Sequence, residues 1–419
     1  MTSTKIQEIK QANFKMSFFF VVALFYAFQG IYQTSMNVYQ SYMMNEVFLL
    51  SVSRIALVNF LVILPNYLKM FTGLLSDRVP IGKLRRVPYI LIGTFIYIPF
   101  FILLANLWDY GTLWVGTMLV LSWGWALVDG TLDALSIDVT PANKLGMMNG
   151  TAWASRNFGS VIATIVIAGI AAAISWKYAL YIVGAFAVLQ GVSALFIKEP
   201  KFNSNEKRSW KKDKEAISRL FKDKQIWYTI IFVLLFNAGP GIYAFIFTLF
   251  IKVGGFTTAE ISVKAAAAFL ASMAGVLVFG KISDKIGAKK LVVPILVLFW
   301  LSIGTFFFVK PGMSEWLIWA IMGFFGFCMG ASFVPGGRLS MEVADPEMSG
   351  FVYSGLASIS NIAQAGVAGL LIGLTSKIPG WTLPLPFFSI IPCSIGAIIV
   401  AQKLNWWSPE ISAEVSAVG

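Results

Sequence analysis

The chain has 419 residues, of which 58% are apolar and only 12% charged, and its mean hydropathy is +0.76. A water-soluble domain carries roughly twice that share of charge, so lipid must solvate most of this one, and a soluble enzyme or binding module is excluded. The net charge of +12 does not point to nucleic acid, because the cations cluster between apolar runs as they do in cytoplasmic loops.

The first fifteen residues are polar, with Lys5, Glu8, Lys10 and Lys15, and lead into an apolar run without a small-residue cleavage site. That run is expected to be a retained first span and not a signal peptide. Apolar runs follow at about 17–39, 53–75, 87–107, 112–137, 147–173, 178–197, 226–251, 261–281, 291–309, 315–339, 349–374 and 384–402. Each is long enough to cross ~30 Å of hydrocarbon as a helix. The expected fold is an all-α membrane protein of twelve transmembrane helices. Lys198 to Lys224 is the one substantial linker, with ten Lys/Arg against five Asp/Glu, and it divides the spans six and six. Short loops on the linker's side carry Arg78, Lys83, Arg85 and Arg86, then Lys281, Lys285, Lys289 and Lys290. The opposite loops carry isolated cations such as Lys177, Lys310 and Lys377. By the positive-inside rule, the linker and both termini are expected in the cytoplasm. The organisation is an N-terminal six-helix bundle over 1–197, a basic cytoplasmic linker over 198–224 and a C-terminal six-helix bundle over 225–419.

The two halves resemble each other. Phe25-Tyr-Ala-Phe-Gln-Gly30-Ile-Tyr32 matches Phe236-Asn-Ala-Gly-Pro-Gly241-Ile-Tyr243. Gly73 with Ser76-Asp77-Arg78 matches Gly280 with Ser283-Asp284-Lys285. Leu135-Ser-Ile-Asp138-Val matches Leu339-Ser-Met-Glu342-Val. The offsets are 211, 207 and 204 residues (236 − 25, 280 − 73, 339 − 135). Three matches in order, pairing each span with the sixth after it, make a parallel internal repeat.

Gly73-Leu-Leu-Ser-Asp77-Arg78 followed by Gly82-Lys83-Leu84-Arg85-Arg86 resembles the loop signature of the major facilitator superfamily, and Gly280 to Lys290 resembles its second-half echo. This resemblance implies two bundles rocking around a central cavity lined chiefly by the first, fourth, seventh and tenth spans. Leu64-Pro-Asn66-Tyr-Leu-Lys69 and Val128-Asp129-Gly-Thr-Leu-Asp133-Ala look like the muropeptide permease, folate–biopterin carrier and acetyl-coenzyme A carrier branch. That branch usually has Trp where Asn66 stands and bulkier residues where Gly130 and Thr131 stand. In the family, the loop acid and base pair with an acid ending the fourth or tenth span and lock the inside gate. Carried onto this chain, the gate is Asp77, Arg86 and Asp138, with Asp284, Lys290 and Glu342 in the second half. The competing reading of these charges is a set of solvated helix ends.

An ionisable side chain inside a span costs several kcal/mol or more unless paired or wetted, so its position is informative. Lys69, Asp129, Asp133 and Arg156 lie deep, and Arg338 near the end of the tenth span. Asp129 and Asp133 project from one helical face, being four residues apart. Asp129 stands nine residues from Asp138, and Arg156 twelve from Lys144 at the start of the return helix. At ~1.5 Å per residue the two meet at similar depth as an ion pair. The functional reading gives Arg156 the substrate's polar group and Asp129, the deeper acid and the partner of the cation, the proton; Asp133, nearer the cytoplasmic end, is the next candidate and reads equally as a proton site or a gate residue. The structural reading is a static pair holding two helices together. In the repeat, residue 156 falls on Ser360 at an offset of 204, so the second half lacks this cation. Lys69 is expected to snorkel to the cytoplasmic headgroups. Gln29, Tyr32, Gln33, Trp125, Asn157, Asn237, Tyr243 and Asn361 are polar or amphipathic residues within spans and join Arg156 as candidate substrate contacts; Trp123 and Gln364 have the same character.

No histidine is present, so a transported proton must ride on Asp or Glu. Cys328 and Cys393 lie in apolar segments and indicate neither a disulfide nor a metal. The absence of a phosphate-binding loop argues against an ATP-driven pump. No cofactor or metal is expected, and the chain is not read as an enzyme. The expected function is secondary active transport of a small polar organic solute by proton-coupled symport, by a monomer in the cell membrane whose partners are solute, protons and lipid. Two other readings stay open: a proton-coupled exporter of amphipathic compounds, and a non-transporting receptor that kept the fold.

Overall fold

A computed structural model describes residues 17–50, 52–196, 199, 210–243, 249–250, 253–256, 258–344, 348–375, 378–379 and 385–406. The polar N-terminal fifteen, residues 198 and 200–209 of the linker, and Lys377 lie outside these. Among the described residues every regular element is helical, apart from an isolated bridge between Ile81 and Leu84.

Among the described residues, ten helices are long and apolar enough to cross a membrane. They are Phe19–Gln40, Leu57–Arg78, Val87–Leu104, Thr112–Val139, Ala142–Ala173, Trp176–Ala194, Lys224–Ile242, Lys264–Ile286, Lys289–Phe308 and Glu315–Glu342. A continuous helical course over Ser349–Ile362, Ala363–Val367 and Ala368–Thr375 supplies the eleventh span, and the shorter apolar helix Leu385–Ala401 the twelfth. Each falls on one of the twelve apolar runs. The linker adds a helix of different character, Trp210–Lys222, basic in its last turn.

Two of the backbone irregularities fall at prolines. The second span is interrupted between Val52–Tyr67 and Met70–Arg78, just beyond Pro65, whose ring lacks an amide hydrogen. The seventh passes from α-helix Lys224–Asn237 into a tight turn over Gly239–Ile242, around Pro240. The fifth and eleventh spans, partners in the repeat, each contain a wide π-turn, at Ala163–Ile167 and Ala363–Val367. The repeat therefore extends to local backbone form.

The described residues of Met1–Val139, Ser155–Ser204 and Asp345–Ser358 make one compact unit, and those of Thr140–Ala154, Asn205–Ala344 and Ile359–Gly419 a second. The fifth and eleventh spans thus each contribute to both. In the first unit, Gly30 of the first span presses on the fifth so closely that a Cβ would overlap the Arg156 carbonyl oxygen. In the second, Gly241 stands in the same relation to the carbonyl of Gln364. Gly30 and Gly241 are matched positions of the repeat, so the same backbone approach is built twice. An aromatic core including Phe299, Phe306, Phe325 and Phe387 fills the second unit.

Candidate functional site

Four buried charges meet in the first unit. Asp129 accepts at Oδ1 from Gln29 Nε2 at 2.6 Å and from Arg156 Nη2 at 2.9 Å, and at Oδ2 from Lys69 Nζ at 2.7 Å. The Gln29 carbonyl also accepts from Arg156 Nη2 at 2.7 Å, so this amide bridges the pair. One turn along the fourth span, Asp133 accepts from the Tyr26 hydroxyl, and its Oδ2 lies 3.6 Å from Lys69 Nζ. The Arg156 guanidinium lies over the Tyr26 ring, 5.2 Å from its centroid. Two cations and two anions sum to zero charge. Mutual pairing and the flanking hydrogen bonds offset the cost of taking them out of water.

The helices place these groups for identifiable reasons. Asp129 and Asp133 share one face of an uninterrupted helix. Lys69 sits at the interruption of the second span and leads the helix that follows. Arg156 is brought close by the contact with Gly30. Lys69 is 4% exposed and held by two carboxylates, so it does not snorkel to the headgroups as expected. The carboxylates outbid the interface because both lie within reach of its ammonium. Arg156 is the most exposed member, at 15% of its side chain against 5–8% for the others.

The remaining candidates are distributed. Tyr32 stacks on Trp125 with centroids 4.7 Å apart and donates to the Leu121 carbonyl at 3.2 Å. Gln33 and Trp123 are exposed, and Asn157 is buried. Asn237, Tyr243, Asn361 and Gln364 belong to the second unit. There Asn237 donates to the Val233 carbonyl one turn back at 2.9 Å, Tyr243 packs on Phe269 and Phe325, and Gln364 donates to Ser360 at 3.1 Å. At the repeat offsets, Lys69 corresponds to Val276 (276 − 69 = 207), Asp129 to Phe333 and Asp133 to Gly337 (333 − 129 = 337 − 133 = 204). Val276 packs in an apolar cluster with Ala154 and Val334, and Phe333 stacks on Trp153 at 4.1 Å. Where the first half holds four charges, the second holds none: Val276 and Phe333 lie in apolar contacts, and Gly337 and Ser360 are uncharged.

The charges of the loop signature form a second constellation. Arg86 is fully buried and pairs with Asp77 at 2.6 Å and Asp138 at 3.1 Å, donating also to Ser76 at 2.6 Å and Ser349 at 2.9 Å. Burial opposes its charge, but the carboxylates of Asp138 and Asp77 outweigh that and push its pKa up. Asp77 in turn accepts the backbone N–H groups of Gly350 at 3.2 Å and Phe351 at 2.7 Å, at the first turn of the eleventh span. Ser349 closes the ring by donating to Asp138 at 2.7 Å. A carboxylate suits a helix start, where amides lack partners and the dipole is positive.

The second unit repeats this arrangement with one exchange. Asp284 accepts from the N–H groups of Gly146 at 2.9 Å and Met147 at 2.7 Å, at the start of the fifth span. The guanidinium joining Asp284 at 2.6 Å to Glu342 at 2.6 Å comes from Arg338 on the tenth span, and not from a loop. Lys290 lies exposed in the turn Lys289–Leu291.

Sequence reasoning missed the roles of Lys69, Tyr26, Arg338 and Glu199. Glu199 caps the third span, accepting the N–H groups of Arg85, Arg86 and Val87 at 2.6–3.0 Å. A lysine within an apolar run and a guanidinium four residues before Glu342 were usable signals. Nothing local marks Glu199.

The chain matches the family model described as Major Facilitator Superfamily over residues 17–368 and 255–407. No curated protein matches it. Among solved structures it is similar to a transporter of that superfamily, FucP, in the outward conformation, with a TM-score of 0.70, 13% identity, and coverage of 92% of this chain and 98% of that one. It is also similar to a single-residue variant of the E. coli fucose:proton symporter FucP, with a TM-score of 0.67, 13% identity, and coverage of 93% and 98%. At 13% identity, these two likenesses are of fold.

Proposed function

Because the chain belongs to the major facilitator superfamily, we propose that it is a secondary active transporter moving a small polar organic solute by alternating access and proton-coupled symport. The observation that carries this reading is the buried, charge-balanced group of Lys69, Asp129, Asp133 and Arg156. A scaffold gains little from four buried charges, since hydrophobic residues of similar volume serve at least as well. A transporter has a use for them: a proton and a polar solute each alter the balance, so each biases the binding of the other. The fold likeness to a protein named as a fucose:proton symporter supports the symport class and carries no sugar over to this chain.

The carrier-branch resemblance runs through Leu64–Lys69 and Val128–Ala134, the segments that hold Lys69, Asp129 and Asp133. In this reading the Asp77 and Asp284 constellations are the cytoplasmic gate. Each fixes the start of a helix that the two compact units share, and each must release it when that end opens. The bundles are 1–197 and 225–419, joined by the basic linker, with both termini in the cytoplasm of a plasma-membrane monomer.

The test uses the purified chain in liposomes under an imposed pH gradient, with a panel of radiolabelled polar solutes. Accumulation of a panel member against its gradient is expected. Arg156→Ala should lose both exchange and accumulation, while neutralising the coupling acid should keep exchange and end accumulation. Proton coupling at this site is refuted if both Asp129→Asn and Asp133→Asn accumulate solute like the parent.

A further inference from the structure

The two carboxylates of the charged group are held unequally. Asp129 accepts from three donors, two of them cations at 2.7 and 2.9 Å. Among the described residues, Asp133 accepts from one neutral phenol, and the cation that stands within 4 Å of it, Lys69, lies at 3.6 Å, outside hydrogen-bonding range. The groups facing Asp133 are Tyr26 from the first span, Lys69 from the second, Asp129 from its own helix, Arg156 from the fifth and Tyr353 from the eleventh. A proton on Asp129 would leave two cations facing a neutral acid. A proton on Asp133 gives up one long ion contact, and the acid's carbonyl oxygen can still accept from Tyr26. Lys69 lies between the two acids, already bonded to Asp129, and can close on it fully without moving its backbone.

The geometry points to Asp133 as the acid that takes up and releases the driving proton, with Lys69 then passing wholly to Asp129 and releasing Arg156 to meet the solute. This rests on the symport reading and assigns its parts. The balance is simple: the proton comes from the water on one side, the group moves from zero to one positive charge, and the surplus falls on Arg156. Arg156 is the most exposed of the four, so the solute group that compensates it is an anion or a strong hydrogen-bond acceptor. Lys69 is thereby a positioning residue, acting through Asp129.

The proton site can be read without any solute. Infrared difference spectra of the full chain in lipid nanodiscs, with carboxyl-labelled aspartate, would be recorded as the pH is stepped from about 8 to 4. The parent should gain a carboxylic-acid C=O component that Asp133→Asn removes and Asp129→Asn retains. Tyr26→Phe deletes a donor to the ionised form while preserving the fold's packing, so that component should appear at a higher pH. A component lost in Asp129→Asn and kept in Asp133→Asn overturns the assignment, as does a spectrum that Asp133→Asn leaves unchanged. Accumulation surviving in Asp133→Asn also overturns it. An Asp133 component in a parent that accumulates none of the panel supports the proton site and refutes the symport reading alone.

Discussion

Replacing Asp77 with Asn tests whether the loop-signature acid holds the start of the eleventh span. Asp77 accepts two backbone N–H groups, from Gly350 at 3.2 Å and Phe351 at 2.7 Å, and pairs with the buried Arg86. Hydrogen bonds to a charged group contribute ~1.5–3 kcal/mol each, against ~0.5–1.5 for neutral ones. Asparagine keeps one neutral acceptor and turns an amide donor towards the other N–H, so the first turn should lose about 2–4 kcal/mol of local stability. At 1.4 kcal/mol per decade, amide exchange at 350 and 351 should accelerate on the order of 30- to 700-fold. Hydrogen–deuterium exchange with mass spectrometry, on peptides covering 348–358 and 142–154, reads both helix starts. Asp77→Asn should loosen the first peptide and leave Gly146 and Met147, which Asp284 holds, unchanged; Asp284→Asn should do the reverse. Unchanged exchange at 350 and 351, or equal acceleration of both peptides in either variant, would refute the reasoning.

Gly30→Ala and Gly241→Ala should each destabilise the purified protein by ~1–3 kcal/mol, because the added methyl overlaps a backbone carbonyl. Gly116→Ala, which meets open space, should stay within ~0.5 kcal/mol, and equal thermal melts for all three would contradict the close-approach account. Single cysteines placed at the exposed Asp109 and at Lys214 in the linker, with Cys328 and Cys393 replaced by Ala, should react with an impermeant maleimide from opposite faces of the membrane. Reaction of both from one face would defeat the twelve-span topology.

The spans were legible because length and hydropathy alone set them. The repeat was legible because Gly73, Asp77 and Asp138 each have a partner near 207 residues on. The Asp129–Arg156 contact followed from counting rises along two antiparallel helices, since both residues lie on regular stretches of helix. Lys69 defeated the same reasoning. It stands at a break in its helix, where residue count no longer gives side-chain direction, and two acids lay close enough to hold it. Arg338 was seen but assigned no role, because the family pattern places the base in the loop. The capping of helix starts by Asp77 and Asp284 was illegible because its donors are backbone amides, which leave no trace in side-chain identity. Glu199 was hidden for the same reason.

The charged group also bears on how the chain is made. Lys69 leaves the ribosome 60 residues ahead of Asp129, and Asp129 itself precedes Arg156. While only the first three spans have been synthesised, the second carries a cation into the bilayer with neither of its carboxylates yet in existence; a lysine costs ~2.5–3.5 kcal/mol at the centre of a span and less towards its ends. The fourth span then brings two anions to one cation, and the fifth restores neutrality with Arg156. The charge balance of the second, fourth and fifth spans is therefore complete only when all three are present. A chain truncated after the third span retains the lysine without either of its counterions.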